Sequence, residues 1–324
     1  MERNVQIIRR MIPVFLAVIL GISGCQKTTS FDHEYKFEDR LVHFANHESD
    51  GFSRPFAESI CVPTGINDTD TLLTADAAAV FEIDGTEVVF ERSATERMNP
   101  ASTTKIMTAI VALKYGNLED LVTVTDDAII TEAGSSMAGV KPGDVMRLED
   151  LLYGLMIPSG NDAANAIAVH IGGSIEGFVE MMNEEAHRIG ATATHFKNAN
   201  GLTDPDHYTT AYDLYLLFCE ALKYDTFRTI IGAHAHNASY FDALGNPKTA
   251  SWGVGNYYMN GKREAPDGVT VFGGKTGTTQ AAGYCLIMGS RMDDGREFAS
   301  VVMKADSRNA LYDDMTQIIS KIDK

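Results

Sequence analysis

Apolar residues come in short runs at both ends of the globular part of this chain and recur with a helical period in its middle. Residues 77–83 and 86–90 form two apolar runs around Asp84-Gly85. Asp-Gly tolerates the positive φ of a tight turn, so these runs read as a β-hairpin. Met98-Asn99-Pro100 interrupts the pattern, and Ile106, Ile110, Val111 and Leu113 then mark one face of a helix over about 102–115. A short helix follows over 148–156, ended by Pro158, and another over 161–171, stopped by Gly172-Gly173. Ser174 caps a longer helix in which Ile175, Phe178, Val179, Met182, Ala186 and Ile189 keep the i, i+3, i+4 spacing up to Gly190, a C-terminal cap. A further helix covers about 211–223. The last third is strand-rich: 269–272 after Gly268, then 284–289 and 298–304 as a hairpin through Asp293-Asp294-Gly295, then a closing helix over 307–321. Strands at both ends with a helical block between them predict an α+β fold on an antiparallel sheet.

Composition narrows the class. The chain has 324 residues, 44% of them hydrophobic, enough for a real core and against global disorder. The formal net charge is −17; removing residues 1–24 takes away three arginines and one glutamate, leaving 24 basic and 43 acidic residues, or −19. A field of that sign repels nucleic acid and anionic lipid headgroups. An anionic substrate would therefore need a local basic cluster.

The N-terminus reads as an address. Arg3, Arg9 and Arg10 precede an apolar run over 11–22 that is too short to span a bilayer comfortably. It ends at Ile22-Ser23-Gly24-Cys25, which resembles a bacterial lipoprotein signal with Cys25 as the lipidated residue. The alternative is an ordinary secretory signal with a chance cysteine, and both readings export the chain. The expected organisation is a signal over 1–24, a polar tether over 25–70 and a catalytic domain over 71–324. Lipidation of Cys25 would leave Cys61, Cys219 and Cys285, which allow at most one disulfide and read as small buried hydrophobes. His33, His43 and His47 fall in the tether, and His234 and His236 in a polar loop, without the accompanying ligands of a metal site.

Three short segments carry candidate chemistry. Ser102-Thr103-Thr104-Lys105 puts a hydroxyl and an amine three residues apart on one side of a helix. Serine is a poor nucleophile until a base takes its proton, and lysine is such a base only when burial and a second cation lower its pKa. Lys275 is the candidate second cation. Ser159-Gly160-Asn161 lies between two helices, where Ser159 could relay a proton and Asn161 could bond Lys105 and a substrate amide. Lys275-Thr276-Gly277 ends a strand, where Gly277 would let a substrate backbone lie along the strand edge and Lys275 and Thr276 would bind a terminal carboxylate. Each segment also has a plain structural reading: a surface serine capping a helix, or a loop whose Ser and Asn cap the next one. Gly273-Gly274-Lys275-Thr276 nearly spells a phosphate-binding loop, but the residues before it are strand-like and no long helix follows.

In this order and at this separation the three segments resemble the active-site elements of the penicillin-recognising serine enzymes. The resemblance is to the low-molecular-mass D-alanyl-D-alanine carboxypeptidases, and it extends over most of residues 75–324. Pro100-Ala101 before Ser102 fits it, as do Asn198-Ala199-Asn200-Gly201-Leu202 with His207, Thr209, Thr210, Ala211 and Asp213, and Ala282-Gly283-Tyr284. It implies a sheet shared by the N- and C-terminal segments, with the helical block packed beside it. It implies Ser102 as nucleophile, Lys105 as general base, Ser159 as proton relay with Asn161, and Lys275, Thr276, Gly277 and Arg308 as substrate-binding residues. His207 is read as a structural hydrogen-bonder. The implied substrates are peptidoglycan stem peptides, with β-lactams as acylating inhibitors, no cofactor and no metal, outside the cytoplasmic membrane. A C-terminal β-sandwich and anchor helix, found in many relatives, are not expected here. A β-lactamase and a D,D-endopeptidase of the same fold stay open, although no deacylation glutamate in an E-x-x-L-N setting is visible between 162 and 210. A non-catalytic penicillin-binding lipoprotein is the reading from another class.

Overall fold

The hairpin expected around Asp84-Gly85 is formed by β1 (Ala77–Glu82) and β2 (Val88–Arg92), paired antiparallel with Val80 opposite Phe90. The structure is a computed structural model that describes residues 60–65, 67–68 and 72–322. The expected signal segment, Cys25 and most of the tether lie outside the described residues.

From β1 the sheet grows toward the far end of the chain. β7 (Val269–Thr279), β8 (Gly283–Met292) and β9 (Glu297–Ala305) complete five antiparallel strands in the order β2-β1-β9-β8-β7. The two-residue period of the strands sorts their side chains. Ala77, Ala79, Phe81, Ile287, Val301 and Met303 face one apolar core, and Ala78, Val80, Leu286, Phe298 and Val302 face the other. The smaller core is closed by α7 (Arg308–Ile319) through Leu311, Met315, Ile318 and Ile319. Ser307 caps this helix by accepting the Ala310 N–H at 3.1 Å.

The larger core holds the helical block. α1 (Lys105–Tyr115) is buried through residues 105–112, more completely than a single apolar face implies, because the block surrounds it. α2 (Leu148–Met156), α3 (Asn161–Gly172), α4 (Ile175–Ile189), α5 (Ala211–Ala221) and α6 (Asp225–Gly232) make up the rest. Ser174 caps α4 through the Gly177 N–H, and Gly190 ends it at φ +94°. Glu185 of α4 is buried and bonds Lys114 of α1 at 2.7 Å and Arg188 at 2.8 Å, while Arg188 reaches Glu220 of α5 at 2.7 Å. One carboxylate thus ties α1 to α4.

Several elements differ from expectation. A second sheet, β3 (Leu121–Thr123), β4 (Val145–Arg147), β5 (Ala235–Phe241) and β6 (Pro247–Gly253) in the order β3-β4-β5-β6, has no counterpart in the pattern reading, nor has α6. β3 and β4 have three residues each, too short to show a period, and β5 and β6 are mostly exposed and polar. His236 therefore belongs to β5, not to a polar loop; it bonds Asp150 at 2.7 Å and stacks on Tyr153 with ring centres 3.7 Å apart. Cys61 falls within the segment expected as a polar tether over 25–70. It is buried in the larger core with its N–H donated to the Tyr215 hydroxyl at 3.1 Å.

Buried Asp314 of α7 ties the entry of β1 to the last helix: it accepts the Thr74 hydroxyl and the Ala75 N–H, both at 2.9 Å. Asp314→Ala strands these donors and is expected to cost about 2 kcal/mol. A lower urea midpoint at unchanged slope checks this; an unchanged midpoint would mean that the carboxylate contributes nothing.

Candidate active site

Ser102 sits on a 3-10 turn (Ala101–Thr104) that leads directly into α1, so the hydroxyl and the amine of Lys105 share one helical start. Ala101 holds φ at +49°, a conformation that L-residues rarely adopt and that surrounding contacts must enforce. Gly201 makes part of that enforcement possible: at φ +90°, a Cβ there would sit 2.0 Å from the Ala101 carbonyl oxygen. Gly277 is equally confined, since its Cβ would stand 2.9 Å from the Ser102 nitrogen and 3.0 Å from the Pro100 carbonyl oxygen. Two remote glycines therefore let two backbones press against the turn that carries Ser102.

Lys105 is fully buried. Its Nζ lies 3.0 Å from Ser102 Oγ, 2.7 Å from Asn161 Oδ1 and 2.5 Å from the Asn200 carbonyl oxygen. A neutral amine has two N–H donors and one lone pair. The two carbonyl oxygens take the donors, which leaves the lone pair for the Ser102 hydroxyl proton. Burial pushes the Lys105 pKa well below the usual lysine range; the charge of Lys275 lowers it further, and Asp162 opposes both.

Ser159-Gly160-Asn161 joins α2 to α3, with Ser159 in the left-handed region at φ +64°. This kink aims Ser159 at β7, where Lys275 Nζ donates to Ser159 Oγ at 2.9 Å and to the Thr276 carbonyl at 2.9 Å. Lys275 is 2% exposed, and burial lowers its pKa to about 7. Lys275-Thr276-Gly277 lies inside β7, which runs on to Thr279, and does not end it. An extended strand through Lys275 also excludes the phosphate-loop reading. A bulge between Val271 and Gly273 shifts the β7–β8 register just before it.

The sequence-derived candidates converge. Ser102, Ser159, Thr276, Gly277 and Arg308 line one cavity of about 300 Å³. Lys105, Asn161 and Lys275 are buried and joined to it by the bonds above. Arg308 is exposed at the first turn of α7, and Leu311 and Tyr312 add an apolar wall. Cys25 lies outside the described residues. Among the described residues no group of three or more His, Cys, Asp or Glu side chains could hold a metal ion.

His207 is a structural hydrogen-bonder. Its Nδ1 accepts the Lys197 N–H at 3.2 Å, which puts the ring proton on Nε2, 2.8 Å from the Thr104 hydroxyl. Burial lowers its pKa to about 4, so the ring is neutral at neutral pH. No motif announces the Asn200 carbonyl, Asp162, Ser136, Leu311 or Tyr312, whereas Tyr284, noted in Ala282-Gly283-Tyr284, also lines the cavity. A backbone acceptor carries no side-chain signal at all.

The profile of the D-alanyl-D-alanine carboxypeptidase family, peptidase S11, matches residues 65–307. The chain belongs to this family. It is 35% identical over 235 residues to D-alanyl-D-alanine carboxypeptidase DacF of Bacillus subtilis, covering 70% of this chain and 57% of the relative. It is 35% identical over 243 residues to DacC of Escherichia coli, covering 72% of this chain and 57% of that relative. The chain thus spans a little over half the length of these curated relatives. The crystal structure of the Streptomyces K15 DD-transpeptidase superposes with a TM-score of 0.72 at 29% identity, covering 79% of this chain and 98% of that one. The fold is therefore that of the penicillin-binding D,D-peptidases, and the expected α+β architecture holds.

If Lys275 supplies a proton through Ser159, acylation of Ser102 needs its ammonium form. The second-order rate of acylation by a β-lactam is then expected to fall as pH rises through about 7. Lys275→Arg should abolish that fall, because a guanidinium keeps its proton. A fall that persists in the variant would assign it to another group. Gly277→Ala is expected to slow acylation by at least about tenfold by displacing the Ser102 turn, read in the same assay.

Proposed function

We propose that this protein is a serine-type D-Ala-D-Ala carboxypeptidase that removes the terminal D-alanine from peptidoglycan stem peptides. The observation that carries this reading is the buried Lys105 amine 3.0 Å from Ser102 Oγ, with two carbonyls occupying its donors. Ser102 Oγ attacks the carbonyl of the D-Ala–D-Ala bond while its proton passes to the Lys105 lone pair. The tetrahedral intermediate collapses, the C–N bond breaks, and Lys275 through Ser159 delivers a proton to the departing amine. Lys105 passes the proton it took to the neutral Lys275 through Ser159, then deprotonates a water that attacks the ester. The second tetrahedral intermediate collapses, the C–O bond to Ser102 breaks, and the proton on Lys105 returns to Ser102 Oγ. Thr276 and Arg308 hold the terminal carboxylate, Asn161 the peptide amide, and Gly277 leaves room for the substrate backbone beside β7. β-Lactams would acylate the same hydroxyl as amide mimics.

Transpeptidation is the second reading, favoured by the near-complete coverage of a relative named as a DD-transpeptidase. The two differ in whether water or an amine takes the acyl group from Ser102. β-Lactamase, D,D-endopeptidase and non-catalytic penicillin-binding activity are separated by rapid turnover of the penicilloyl-enzyme, by cleavage of cross-linked dimers, and by the absence of any product.

The proposed organisation keeps a signal over 1–24, a tether from Cys25 and a catalytic domain that takes in residues from about 60 onward. We read Cys25 as lipidated, which fixes the enzyme to the outer face of the cytoplasmic membrane. Among the described residues no helix is long and apolar enough to cross a membrane.

The purified chain is expected to release D-alanine from a synthetic pentapeptide ending in D-Ala-D-Ala. Ser102→Ala should lower the rate by at least about a thousandfold. Release unaffected by that change would defeat the mechanism, and exchange of the D-alanine for an added amine in place of hydrolysis would favour transpeptidation. Cys25→Ala should move the protein from the membrane fraction to the soluble fraction of bacteria that process lipoproteins. A variant that stays with the membrane would remove the lipid reading.

A further inference from the structure

Asp162 has no part in the chemistry above, yet it follows Asn161 directly and is fully buried. Its carboxylate accepts four backbone N–H groups: Ala138 and Gly139 at 2.7 Å, Val140 at 3.0 Å and its neighbour Ala163 at 2.9 Å. Three of the four belong to the loop that brings Ser136 to the cavity wall. The same loop is held twice more. The Asn161 N–H donates to the Ser136 carbonyl at 2.9 Å, and the Trp252 indole donates to the Ala138 carbonyl at 2.9 Å. Packing is close as well, since a Cβ at Gly160 would stand 2.7 Å from the Ala138 nitrogen.

A buried carboxylate is costly unless dipoles or counter-ions compensate it. Here the N–H groups supply the dipoles, and the neighbouring Asn161 side chain bonds the Lys105 amine at 2.7 Å. The charged groups that face Lys105 are Lys275 from β7 and Asp162 from α3. The loop over 196–210 contributes the Asn200 carbonyl and the neutral His207, which bonds Thr104. The turn before α1 contributes the uncharged Ser102.

We propose that Asp162 is a positioning residue for acylation: it clamps the Ser136 loop onto the Ser159-Gly160-Asn161 turn and supplies the negative charge that offsets Lys275 at Lys105. The inference rests on the serine acyl-transfer chemistry proposed above. Removing the charge makes Lys105 a weaker base that stays neutral to lower pH. Removing acceptors loosens the wall that holds Ser136 beside Ser159.

The test compares the full chain, Asp162→Asn and Trp252→Phe by stopped-flow acylation with a fluorescent penicillin across pH, with folding followed by near-ultraviolet circular dichroism. Asn is nearly isosteric and keeps one acceptor oxygen, while Trp252→Phe loosens the same loop without touching a charge. Asp162→Asn is expected to lower the plateau rate at least about tenfold and to move the acid limb down by about one pH unit. Trp252→Phe is expected to lower the plateau and leave the acid limb in place. An acid limb unmoved by Asp162→Asn, or moved equally by Trp252→Phe, would overturn the electrostatic role. Plateau rates at the wild-type level in both variants would overturn the positioning role. Should Asp162→Asn fail to fold, a wild-type rate in Trp252→Phe overturns the positioning role by itself. A wild-type chain that is never acylated at Ser102 would instead defeat the proposed function, so the two failures are distinct.

Discussion

Two amines withdrawn from water, each bonded to a serine hydroxyl of the site, form the constraint on which the site depends. Lys105 and Lys275 are both essentially buried, and an ammonium pays heavily for that environment. Two ammonium groups in one buried site repel each other, and the charge of Lys275 lowers the Lys105 pKa accordingly. The cheaper arrangement keeps one amine neutral. The hydrogen bonds favour Lys105 for this state, because Asn161 and Asn200 absorb its donors and leave a lone pair for Ser102. Lys275 has the Ser159 hydroxyl and a carbonyl as acceptors, a setting that suits a donor of protons.

The fold serves that constraint by closing a long chain onto itself. β1 lies between β2 and β9, so strands from both ends of the domain share hydrogen bonds and two cores. α1 is gripped on all sides, which fixes Lys105 from behind. β7 is the edge strand, which leaves its outer side free for an extended substrate while its inner side is held by β8. Small residues set the remaining distances: Gly201 and Gly277 can approach the Ser102 turn only because neither has a Cβ. Strain is concentrated at Ala101 and Ser159, the two positive-φ residues beside or within the motifs.

Much of this was legible in the sequence, for reasons that differ by element. α4 declared itself through Ser174, six apolar positions at helical spacing and Gly190, and all three features recur in the structure. The three candidate segments declared themselves by residue type, because the roles read for them, nucleophile, base and second cation, each demand a particular side chain. The second sheet did not, since β3 and β4 are too short for a period and β5 and β6 expose most of their side chains. The Asn200 carbonyl was invisible because any residue has one. Asp162 was visible but unreadable: a carboxylate after Asn161 looks like a first-turn helix residue until the loop it clamps is seen.

The central claim is a neutral Lys105 beside a Lys275 that titrates near neutrality. Nuclear magnetic resonance of the chain carrying 13Cε-labelled lysine, with both signals assigned by single substitution, tests it directly. Lys105 should show the chemical shift of a free amine well below the pH at which lysines ordinarily lose their proton, and Lys275 should change its shift around pH 7. A Lys105 signal that remains that of an ammonium up to pH 9 would contradict the account, because Ser102 would then have no base within reach.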